Sequence, residues 1–182
     1  MKTRLSTALA LLLAFAPRAI RAQDTVYTPV HTMPDGREIV TVYIGAESCG
    51  PCHSPEVKHA VRAMKPLVAA QARARHAAFA AIGVANDWEI GKAEAFLSPL
   101  DQYDQVVLGG NWTNLALERF VWRDPQGVPA MPQILVFERT VTPGARVVFS
   151  DAKLLRRVLG EKDIPAWVAQ GAPIVLADST RR

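Results

Sequence analysis

The sequence predicts an α/β sandwich built on one central sheet, and three observations lead there. A β-branched, largely apolar run at 38–44 is followed by apolar residues at helical spacing. A second apolar strand, 77–84, precedes another short helical stretch. Two further strand-like runs, 133–137 and 146–149, flank the turn signal Pro143-Gly144. The composition agrees: of 182 residues 49% are apolar and 21% charged. With 13 Pro, 11 Gly and two Cys, a collagen-like, low-complexity or disulfide-dense scaffold is excluded.

Residues 1–22 read as a secretory signal. Lys2 and Arg4 form a basic start, 5–16 is an apolar run, and Ala22 offers a small residue at the cut before Gln23. The run is too short to span a bilayer, which needs roughly 20 residues. Lys2, Arg4, Arg18 and Arg21 account for the whole formal charge of +4. The remainder is balanced, which gives it no overall field toward nucleic acid or an anionic membrane. The expectation is an exported, periplasmic or secreted monomer with one domain at 23–177, a flexible tail at 178–182 and no membrane span.

Within that domain, Pro34-Asp35-Gly36 signals a turn before the first strand. Val57, Ala60, Val61, Met64, Leu67 and Val68 then recur on one helix face, with Ser54 as cap and Pro55 in the first turn. Pro66 is expected to kink that helix or end it early. Asp87 is positioned to cap a helix through 93–97, stopped by Pro99. Val106-Val107-Leu108 reads as a short strand, 114–122 as a helix and 124–127 as a turn. After the hairpin, 151–160 reads as a helix and 164–170 as a shorter one. Trp88, Trp112, Trp122 and Trp167 are assigned to packing, and Asp101, Asp104, His31, His59 and His76 to the surface.

Both cysteines fall in Cys49-Gly50-Pro51-Cys52, where the first strand gives way to a helix. A helix start turns the chain tightly enough for two sulfurs to bond. Its unpaired N–H groups favour a thiolate on the first cysteine, and thiolate is the nucleophile in disulfide exchange. Cys49 is therefore the attacking sulfur and Cys52 the resolving one. A purely stabilising disulfide is a poor reading, because so short a loop removes little entropy from the unfolded chain.

Residues 42–48 with Cys49-Gly50-Pro51-Cys52 resemble the active site of the thioredoxin superfamily. Ala130-Met131-Pro132, leading into 133–137, resembles its cis-proline and following strand. The resemblance covers about 36–160. It implies a thioredoxin fold, with a central mixed sheet flanked by helices and an insertion at about 85–128 between the active-site helix and the cis-proline strand. It also implies thiol–disulfide oxidoreductase activity on protein substrates, recharged by an upstream redox partner, with no cofactor beyond the redox-active disulfide. Pro132 should lie against the cysteines, with Met131 lining the substrate groove. Two positions depart from the family: Ser48 stands where Trp is usual, and Tyr43 where thioredoxins keep a buried Asp. Glu47 and Glu56 are then the nearest carboxylates for proton handling. Extra length before Pro132 and Asn86-Asp87 after the second strand are similar to exported thioredoxin-like reductases.

Two rival readings use the same residues. Cys49-Gly50-Pro51-Cys52-His53 matches the c-type haem attachment signature, with Met131 as a distal ligand. Two thiolates and His53 could also hold Cu(I) or zinc for delivery. The β-branched runs around both motifs favour the redox fold instead. Asn111-Trp112-Thr113 matches a glycosylation sequon, a motif short enough to arise by chance.

Overall fold

The computed structural model describes residues 34–100, 103–124 and 127–174. The signal at 1–22, the tail at 178–182 and Asp101 lie outside them. Strand β1 (Gly36–Gly45) is buried on both faces because its odd and even residues each meet a separate core. Ile39 and Tyr43 pack under α1 (Pro55–Ala74), while Val40, Val42 and Ile44 face the opposite side. β2 (Ala78–Ala85) runs parallel to β1 and β3 (Gln105–Leu108) parallel to β2. β4 (Gln133–Thr142) is antiparallel to β1. Its other edge pairs with β5 (Val148–Phe149) and β6 (Lys153–Leu159). The result is a mixed sheet in the order β3-β2-β1-β4, completed on β4 by β5 and β6.

One face is covered by α1, by α2 (Ile90–Leu97) and by α4 (Gly160–Ala169), whose Trp167 is buried there. The other is covered by α3 (Leu115–Leu117), which continues as a π-helical turn at Glu118–Trp122. Asn114 caps α3 through its Oδ1, which accepts from Leu117 N at 2.8 Å.

Four expectations are corrected. First, 151–160 is not a helix: it contains β6. A bulge between Val136 and Phe137 leaves Leu155 as the extra residue. Leu155 and Val158 then share the α1 face while Leu154 turns to the other. That three-residue spacing imitates a helix. Second, of the two outcomes expected at Pro66 the early end does not occur: α1 runs through it to Ala74. Pro66 is exposed, so the Arg62 carbonyl that loses its donor lies on the solvent side. Third, Asp87 does not cap α2; the cap position is Glu89, which makes no side-chain capping bond. Fourth, Trp88 is 71% exposed and packs in neither core, whereas Trp122 keeps the expected packing role at the rim, half exposed and edge-on to Trp112. Asp104 is at the surface as expected, but its carboxylate also accepts from Ala81 N at 2.7 Å.

Candidate active site

The site forms where the parallel strands β1 and β2 end together. Gly45 pairs with Ala85 in register, and Asn86 N extends the ladder by donating to the Gly45 carbonyl at 2.7 Å. The chain then turns: Cys49 N donates to the Ala46 carbonyl at 3.2 Å, and a 3-10 turn, Gly50–His53, follows. Cys49 thus caps, and Cys52 lies within, a 3-10 turn just before α1, with Pro51 between them. Ser54 then caps α1 as its sequence position suggests, its Oγ accepting from Val57 N at 3.1 Å.

Cys49 and Cys52 are joined by a disulfide with Cα atoms 5.3 Å apart. Cys52 is fully buried, and Cys49 is 8% exposed. The Cys52 amide points at Cys49: it donates to Sγ at 3.2 Å and to the carbonyl at 3.0 Å. A backbone N–H fixed on that sulfur is the arrangement that stabilises a thiolate there after reduction.

Around the turn, His53 Nε2 donates to the Glu47 carbonyl at 2.7 Å and sets its ring edge-on to Phe96 at 5.5 Å. The ring is therefore committed to holding the loop. Among the described residues no group of three or more His, Cys, Asp or Glu is spaced to hold a metal. Glu47 and Glu56 are both exposed. Glu47 Oε2 lies 3.6 Å from His53 Nε2, whereas Glu56 stands on the first turn of α1 beside an apolar groove formed with α4. Neither carboxylate is buried beneath the sulfurs.

The Met131–Pro132 peptide is cis. Register places Pro132 next to the Ile44–Gln133 pair, at the cysteine end of the sheet, and Gly160 N donates to its carbonyl at 2.8 Å. Met131 packs against both cores, including the cluster that holds both cysteines. The two motifs, far apart in sequence, are thus brought to one end of the fold.

Four further residues build the site. Asn86 Nδ2 donates to Met131 Sδ at 3.4 Å, and the 7%-exposed Asp87 accepts from Glu47 N at 3.0 Å. This pair joins the cysteine loop to the cis-proline loop. Gln133, fully buried, donates to the Ala130 and Val128 carbonyls at 2.7 and 3.1 Å and shapes the approach to Met131. Tyr43 is fully buried with its hydroxyl unpartnered among the described residues. Burial pushes the phenol's pKa above the usual tyrosine range. The signal for Asn86 and Asp87 was their place after an apolar strand parallel to β1, since such strand ends gather a site.

No protein-family model and no curated protein matches the chain. Among solved structures it is similar to a putative thiol:disulfide interchange protein DsbE from Chlorobium tepidum, with 19% identity and TM-score 0.44 over 74% of this chain and 77% of that one. A putative protein disulfide isomerase from Bacteroides thetaiotaomicron shows 18% identity and TM-score 0.37, over 76% and 74% respectively. A secreted Mycobacterium tuberculosis disulfide oxidoreductase homologous to E. coli DsbE shows 14% and 0.31, over 62% and 67%. The fold stands on the chain's own topology: β2-β1-β4-β6 with β4 antiparallel to β1, the cysteine turn after β1 and a cis-proline before β4. That arrangement is the thioredoxin fold.

Proposed function

We propose that this protein is a thiol–disulfide oxidoreductase acting on protein substrates. The observation that carries the reading is the Cys52 N–H directed at 3.2 Å to Sγ of Cys49, the less deeply buried of the two cysteines. In the reduced protein the Cys49 thiolate attacks a substrate disulfide. One substrate sulfur leaves as a thiolate and the other stays bonded to Cys49. The Cys52 thiolate then attacks Cys49 Sγ, releasing the reduced substrate and restoring the Cys49–Cys52 disulfide. A dithiol partner upstream returns the two electrons. Gly50 and Pro51 form the exposed tip of the turn, and Met131 with Pro132 walls the substrate groove. Glu47, beside His53, and Glu56 are the carboxylates closest in sequence for moving the proton.

Export is part of the same proposal, supported by the basic start and apolar run of residues 1–22. No described helix is long and apolar enough to cross a membrane. Delivery of Cu(I) or attachment of haem is not favoured: the cysteines are bonded to each other and His53 is engaged by Glu47.

The test is reduction of insulin disulfides with dithiothreitol as donor. Cys49→Ser should abolish turnover, and Cys52→Ser should accumulate a mixed disulfide through Cys49. Turnover that survives in Cys49→Ser contradicts the proposal.

A further inference from the structure

Tyr43 is buried and polar, yet its hydroxyl has no hydrogen-bond partner among the described residues. Its position is tightly defined. The side chain runs along β1 toward the cysteine end and into the space left by Gly45, where a Cβ would stand 2.6 Å from the hydroxyl oxygen. Phe96 closes the other side of this slot, with two ring carbons 2.9 Å from the same Cβ position. Phe96 in turn meets His53, the last residue of the cysteine turn. Tyr43 and Cys52, both fully buried, belong to one apolar cluster. The buried carboxylates among the described residues are committed elsewhere, Glu38 to Arg139 and Asp87 to the Glu47 amide.

A buried hydroxyl without a partner destabilises the state in which it is found. That state is the disulfide, whose sulfurs are weak acceptors. Resolution of a mixed disulfide requires Cys52 as a thiolate, a strong acceptor. Cys49 Sγ already receives a backbone N–H, whereas no such donor is seen on Cys52 Sγ among the described residues.

Resting on the exchange chemistry proposed above, we infer that Tyr43 is a positioning residue for the resolving step: its hydroxyl donates to the Cys52 thiolate, directly or through one water. It acts as a neutral donor, since burial keeps the phenol protonated. Gly45 is required because any side chain there would occupy the slot.

The test separates the two steps with glutathione disulfide as the probe. In the first, the Cys49 thiolate of the reduced protein attacks it, forming protein–glutathione mixed disulfide and releasing one glutathione thiolate. In the second, the Cys52 thiolate displaces the other glutathione and closes the Cys49–Cys52 bond. Acid quenching and mass measurement follow both species. Tyr43→Phe removes only the hydroxyl. It should slow the second step about tenfold, the size of one hydrogen bond to a charged group, so that the mixed disulfide accumulates. The first step should change less than about twofold, and the oxidised form should melt no lower than wild type. A second step that is unchanged, or both steps slowed alike, overturns the inference. Wild-type protein that completes both glutathione steps yet has no activity on protein disulfides would instead count against the proposed function, while the Tyr43→Phe rates still decide this inference.

Discussion

The two ends of β1 treat their polar groups in opposite ways. At the start, the buried carboxylate of Glu38 accepts from Nε of Arg139, its direct register partner, at 2.6 Å, and Arg37 pairs with Glu138. Arg139 also lies over the Phe149 ring, 4.5 Å from its centroid. At the finish, the Tyr43 hydroxyl and Asn86 Oδ1 are buried without partners among the described residues. An unpaired buried polar atom costs about 1–3 kcal/mol, so an end with only a structural task has its groups paired. Open valences beside a reactive pair belong with chemistry, because local rules are broken where function needs it.

The contrast can be broken from the paired end. Arg139→Met strands the Glu38 carboxylate in a site where its own side chain is 6% exposed. Loss of one partner from so buried a pair should cost about 3 kcal/mol in urea denaturation, with glutathione exchange unchanged. A loss of exchange in that variant would mean that the two ends are not separable. At the reactive end, Asp87→Ala leaves the Glu47 amide without its acceptor. About 2 kcal/mol of stability should go, and exchange should fall several-fold because the loop before Cys49 is no longer anchored. The smallest effect belongs to Arg37→Met, whose side chain is 51% exposed. Its removal should cost less than about 1 kcal/mol by the same denaturation measurement, as for other exposed ion pairs.

What the sequence shows and hides follows the range of the interactions involved. β1, β2 and α1 are legible because their apolar patterns are local and regular. The cysteine turn is legible because both sulfurs and the Ser54 cap lie within six residues. β6 is misread because the bulge around Leu155 replaces a two-residue period with a three-residue one, and only the partner strand β4 reveals it. Asp87 resembles a helix cap locally, but parallel pairing of β1 with β2 carries it to Glu47, which competes for its carboxylate. The slot for the Tyr43 hydroxyl is equally non-local, since it takes Gly45 and a ring from α2 to form it.

The central claim is that one sulfur of the pair is the presented nucleophile and the other its buried partner. The most direct measurement is the site of alkylation when the fully reduced protein meets one equivalent of iodoacetamide at neutral pH, mapped by peptide mass. The account predicts label on Cys49, which is the less deeply buried sulfur and faces the Cys52 amide, with Cys52 protected until the protein is unfolded. Label on Cys52 at an equal or faster rate in the folded protein would contradict it.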